Sequence, residues 1–129
     1  MNTQLLMPEL HNNERIGLRC SRSIEFVEVK KIIRAESFRA YCKLYIMDDQ
    51  PITLSCPLKV IANKLSANQL FFRSHKSHLI NMLYVKNYHT DKGIKLIDGS
   101  CVPLALLIKT EFLKRMEELF GCIEKETLL

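Results

Sequence analysis

The sequence predicts a mainly β domain with two short helices, an α+β arrangement of antiparallel strands. Three observations carry that expectation. Apolar and polar residues alternate with a period of two over many short segments, as half-buried strands require. Turn-forming groups such as Asp48-Asp49-Gln50 and Asp98-Gly99 separate those segments. Helical spacing of apolar residues is confined to two stretches, one after Pro57 and one leading to Gly121.

Residues 1–14 lack periodicity, carry Pro8 and the polar run His11-Asn12-Asn13-Glu14, and read as a leader or linker. The folded domain is expected over 15–121, with 122–129 as a C-terminal tail. From Ile16 the pattern becomes strand-like: Ile16, Leu18 and Cys20 alternate with polar partners, as do Ile24, Phe26 and Val27 to Val29 with one slip. Ile32-Ile33 opens a third strand ending near Glu36, and Ser37-Phe38-Arg39-Ala40 reads as a turn. A fourth strand takes 41–47, with Tyr41, Lys43 and Tyr45 on one side, and residues 51–55 return beside it. Pro57 suits the first position of a helix, where its missing N–H is no loss. Leu58, Ile61 and Leu65 form one apolar stripe along that helix. Residues 84–89 and 94–97 make a hairpin around Asp91-Lys92-Gly93, and Asp98-Gly99 leads into a last strand over 101–104. The final helix, 105–120, places Ile108, Phe112, Met116, Leu119 and Phe120 on one face, with Gly121 as its stop. One of Leu106 and Leu107 is expected to join that stripe in the core.

A chain of 129 residues can bury a single core without disulfide or metal support. Apolar content of 47% and charged content of 26% are ordinary for a soluble globular protein. No run approaches the roughly 18 apolar residues that span a bilayer, and no basic-then-apolar signal follows Met1. A cytoplasmic location is therefore expected. The five cysteines (20, 42, 56, 101 and 122) form no Cys-x-x-Cys pair and have apolar or strand-like neighbours. Buried free thiols in a reducing compartment are the expectation; a redox-sensing pair has no support from spacing. The net charge of +5 understates an asymmetry, since 1–110 hold sixteen Lys/Arg against nine Asp/Glu and 111–129 hold three against five. A basic body with an acidic end suggests a polyanion-binding face away from the C-terminus. Scattered lysines that merely solvate the surface would give the same totals.

The segment Phe72-Arg73-Ser74-His75-Lys76-Ser77-His78-Leu79-Ile80-Asn81 discriminates better. Apolar residues anchor both flanks, so the polar middle must project outward. Cations and hydroxyls on such a projection suit phosphate and base-edge contacts. The pattern Phe-x-Arg-x-His-basic-Ser, followed by Ile80-Asn81, resembles the signature of the LytTR family of bacterial DNA-binding domains. Four further blocks are similar in family order: 29–36 and 41–44 as a strand pair, Leu58, Ile61 and Leu65 as the short helix, and 94–103 as the late hairpin. The resemblance covers most of the chain, from about residue 15 to residue 120.

What the resemblance implies is an elongated, antiparallel multi-sheet LytTR-type fold that performs no chemistry and needs no cofactor. It implies a transcriptional regulator whose loops enter successive major grooves of double-stranded DNA, with a homodimer on paired half-sites. Carried over by position, the first contact loop is 37–43, with Arg39 foremost and Tyr41 and Lys43 beside it. The second is 73–77, with Arg73, His75, Lys76 and Ser77, and Lys76 reaches the nucleic acid most directly. Asn81 is a structural residue that bridges backbone groups. Members of the family commonly follow a phosphate-receiving domain, and fourteen residues cannot be one; the chain is a stand-alone domain or a fragment. After Val102-Pro103 the family usually has a serine and then basic residues, whereas here Ala105, Leu106 and Leu107 precede Lys109, the first cation. Either Lys109 substitutes as the DNA contact of this third region, or the protein binds weakly or through an extra partner, or the apolar patch is itself an interaction surface. The last of these motivates an alternative: a protein-interaction module of the same fold that regulates a partner without binding DNA.

Enzymatic and metal readings rank far below. His75-Lys76-Ser77-His78 offers a base and a nucleophile, but productive catalytic partners usually converge from distant segments. His75 and His78, even with Cys56 or Cys101, lack a second conventional ligand pair. Tyr41 and Tyr45 would make either a stacking platform or ordinary cross-strand partners.

Overall fold

The computed structural model describes residues 14–122, in which ten strands form three antiparallel sheets accompanied by two α-helices. Strands β1 (Arg15–Arg19) and β2 (Ile24–Glu28) make a separate hairpin. The central sheet has the order β5-β4-β3-β7-β6, from β3 (Ile32–Phe38), β4 (Tyr41–Ile46), β5 (Ile52–Leu54), β6 (Phe71–His75) and β7 (His78–Asn81). The third sheet comprises β8 (Val85–His89), β9 (Gly93–Leu96) and β10 (Cys101–Val102). Helix α1 (Leu58–Lys64) connects β5 to β6, and α2 (Lys109–Phe120) follows β10. The expected class, mainly β with two helices, is the one adopted. The leader over 1–14, apart from Glu14, and the tail over 122–129, apart from Cys122, lie outside the described residues.

The paired apolar residues of the sequence follow from the central sheet being covered on both faces, since neighbours along a strand point to opposite sides. Ile32, Phe71 and Leu79 enter one core with Leu18, Val27, Leu58, Ile61 and Leu65. Ile33, Phe72 and Ile80 enter the other with Ile94, Leu96, Val102 and Phe112. A register slip between Ile32 and Arg34 on β3 adds one residue to that strand, which bends it locally and strengthens its twist. Asn81, fully buried, donates from Nδ2 to the Ile32 carbonyl at 3.0 Å and accepts at Oδ1 from the Leu83 amide at 3.0 Å. It is the backbone bridge its position suggested. Gly93 closes the β8–β9 hairpin with φ of 86°, and a Cβ there would lie 2.6 Å from the Val102 carbonyl oxygen, so both conformation and space demand glycine.

Several expectations need correction. Strand β3 continues through Ser37 and Phe38, which pair with Cys42 and Tyr41, and only Arg39 and Ala40 form the turn. Ser74, in the middle of the polar segment, is fully buried rather than projecting. The last α-helix starts at Lys109, preceded by a 3-10 turn over Leu106–Ile108. The Ala105 amide is committed to the Ser74 carbonyl, and no side chain caps the helix start. Neither leucine of that turn is in the core: Leu106 is 83% exposed and Leu107 96%. Phe112 is buried and Ile108, Met116 and Leu119 pack against the core, but Phe120 is exposed. On the small hairpin Ile24 and Phe26 face outward, Phe26 lying over Gly17. The thiols are free, yet Cys42 alone is fully buried, and Cys101 and Cys122 are exposed. Among the described residues no helix is long and apolar enough to cross a membrane.

Candidate nucleic-acid interface

Topology brings the two predicted contact loops together. Because β3 pairs with β7, the end of β3 lies beside the start of β7. The Ser37 amide then donates to the Ser77 carbonyl at 2.9 Å, tying the β3–β4 turn to the β6–β7 turn. The segment after β10 reaches the same end of the sheet, where the Ala105 amide donates to the Ser74 carbonyl at 2.8 Å. Three chain segments far apart in sequence thus meet along one edge.

The β6–β7 turn is built to hold Lys76 outward. Phe71 and Phe72 before it, and Leu79 and Ile80 after it, plug the two cores alternately. A second register slip, between Arg73 and His75, turns Ser74 inward, where its hydroxyl finds no partner. The Arg73 guanidinium donates to the Lys76 carbonyl at 2.7 Å and so closes the turn from beneath. His75 accepts the Ser77 amide at Nδ1, 3.1 Å away, which leaves Nε2 as the ring's donor. Lys76 is exposed at the apex, and among the described residues its ammonium joins no ion pair.

The neighbouring turn presents Arg39 at its tip, exposed, with a left-handed φ of 60°. That conformation costs a non-glycine residue about 1–2 kcal/mol. Behind it Phe38 and Tyr41 stack with ring centroids 5.6 Å apart, and the Lys43 ammonium lies 5.7 Å from the Phe38 ring. Tyr45 is covered by the Arg34 guanidinium, 3.8 Å from its centroid. The two tyrosines are therefore engaged by separate neighbours rather than forming one platform. Lysine 109 is half-buried, its ammonium 5.9 Å from the Tyr88 ring.

Across the sheet, Lys43 opposes Glu36, Glu36 opposes His78, and His78 opposes His75. Directly opposed residues share a face, so this row joins the two turns. Sequence reasoning gave Glu36 and His78 no part in the DNA-binding site; only strand register reveals them. Glu36 is the one carboxylate of the row, and Arg34 neutralises it at 2.9 Å. The imidazoles of His75 and His78 meet edge to face at 5.7 Å. No cluster of three His, Cys, Asp or Glu suited to a metal occurs among the described residues.

Burial lowers the His78 pKa, with Arg34 and His75 acting in the same direction and Glu36 opposing them. An unfolded chain then takes up this proton first. Stability is unaffected above the ordinary histidine range and falls as pH drops through about 6.5, until the folded-state value is passed. Thermal melts from about pH 7.5 to about pH 5 should show a decline that His78→Gln reduces. An identical decline in both proteins would mean that His78 is not the titrating group.

The sequence matches the family model described as the LytTr DNA-binding domain over residues 13–117. The chain belongs to the LytTR family of DNA-binding domains. Its fold is similar to a solved structure, the LytTr DNA-binding domain of a Bacillus cereus protein described as a methyl-accepting/DNA response regulator. That structure shares 18% identity with a TM-score of 0.66, covering 79% of this chain and 95% of that chain. No curated protein sequence matches. This family is one of DNA-binding domains, not of enzymes.

Proposed function

We propose that this LytTR domain belongs to a cytoplasmic bacterial transcriptional regulator and binds double-stranded DNA through the edge formed by its three segments. The observation that carries the reading is the Ser37–Ser77 hydrogen bond, which sets the Arg39 and Lys76 tips side by side on a rigid sheet. In this reading Arg39 and Lys76 enter the major groove, while Lys43 and Lys109 approach phosphates. His75 supplies a donor through Nε2, and Tyr41 packs the base of the first turn. Arg73 and Ser77 act mainly by shaping the second turn. Occupation of paired half-sites by a homodimer completes the reading.

Affinity built on these cations releases condensed counterions. The logarithm of the binding constant should therefore fall linearly with the logarithm of salt, at about −0.9 per phosphate neutralised. Four candidate cations set a limit of about −3 to −4 per domain. Titration of genomic and random duplexes at several salt concentrations tests this, and absence of duplex binding even at low salt would reject it. The exposed Leu106-Leu107 pair favours one second reading, a module that binds a regulatory protein partner. That reading requires negligible duplex affinity throughout.

A further inference from the structure

Leu106 and Leu107 have higher exposures than any other large apolar side chain among the described residues, 83% and 96%. Their location is fixed by backbone bonds rather than by packing. The Ala105 amide is held by the Ser74 carbonyl at 2.8 Å, and the Ile108 amide closes on the Ala105 carbonyl at 3.1 Å. The 3-10 turn bearing the leucines is therefore rooted one residue from His75 and two from Lys76. The next cation, Lys109, lies near the Tyr88 ring. Along the edge that carries Arg39 and Lys76, this turn offers the solvent two branched aliphatic side chains. The side chains of Ala105, Leu106 and Leu107 have neither donor nor acceptor.

Apolar groups normally gain nothing beside a polyanion. Duplex DNA nevertheless presents one apolar group at a base edge, the C5-methyl of thymine in the major groove, and aliphatic side chains contact it selectively. Resting on the duplex-binding reading above, we propose that Leu106 and Leu107 read thymine methyl groups, so that the third segment specifies thymine. Continuity with the cationic edge sets the occupant: a major groove that takes in Arg39 and Lys76 brings base edges to the adjoining turn. Burying a methyl group changes affinity about fourfold.

The test begins with selection of tight-binding sites from a randomised duplex library by the wild-type protein. Each thymine of the selected site is then replaced in turn by deoxyuridine, which lacks only the methyl group. The expected result is a loss of about fourfold at one or two positions. Leu106→Ala and Leu107→Ala should melt like wild type, bind the thymine duplex correspondingly less tightly, and no longer distinguish thymine from uracil there. Equal wild-type affinity for every uracil duplex overturns the proposal while leaving DNA binding intact. Leucine-dependent affinity indifferent to uracil would place these side chains between base steps and also overturns it. So does leucine-dependent self-association in sedimentation without uracil sensitivity, which would assign the pair to a contact between copies. Recovery of no duplex at all overturns both this proposal and the reading on which it rests.

Discussion

Phe72→Ala should destabilise the domain by about 3–5 kcal/mol, the usual cost of emptying an aromatic site in a closed core. Phe72 is 5% exposed, with its ring centroid 5.7 Å from Phe112, which in turn lies 5.7 Å from Tyr88. The Arg115 guanidinium sits over the Phe72 ring, 5.4 Å from its centroid. Arg115 also donates to the Gln69 carbonyl at 2.8 Å. Truncation at Phe72 therefore loosens the contact between central sheet and final helix, and with it the bracing of the β6 edge. Against a stability of about 5–15 kcal/mol for a domain, thermal and denaturant melts would register the loss readily. A melt like that of wild type would show that Phe72 is not the anchor of the basic turn. DNA binding should fall only under conditions in which the variant is substantially unfolded.

The fold was legible in the sequence where local pattern and tertiary burial agree. Cys42, Leu44 and Ile46 point inward against Tyr41, Lys43 and Tyr45, as alternation along β4 predicts. Leu58, Ile61 and Leu65 are buried as their helical spacing predicts. Pattern misled at Leu106 and Leu107, which are apolar and adjoin the stripe of the last helix without standing three or four residues from Ile108 or Phe112. The Ala105–Ser74 bond and the 3-10 turn hold them outside that stripe before the α-helix begins. Phe38 was assigned to a turn because aromatic residues mark no boundary, whereas strand pairing carries it to the last rung opposite Tyr41. The candidate site was legible as two separate basic segments. Its assembly depends on β3 lying beside β7, a long-range pairing that no local pattern encodes, and that pairing also brings Glu36 and His78 into the row.

Lys76→Ala should weaken duplex binding by about 1–3 kcal/mol if the ammonium reads a base edge. Thermal stability should be almost unchanged, since exposed substitutions usually cost no more than about 0.5 kcal/mol. The turn does not depend on the lysine side chain: its closing contacts use the Lys76 carbonyl, the Ser77 amide and the Ser77 carbonyl. Base reading would relax specificity at one position of the site, whereas a phosphate contact would weaken all sequences alike and reduce the salt slope by about one. Arg73→Ala separates positioning from contact. If Arg73 acts by holding the Lys76 carbonyl, its loss lets the apex wander and removes much of what Lys76 contributes. The double variant should then bind little worse than the worse single variant, because residues acting through one another are not additive. Strict additivity would give Arg73 a contact of its own. Unchanged affinity of Lys76→Ala for every duplex would remove the apex from the interface and leave the Arg39 turn to carry binding.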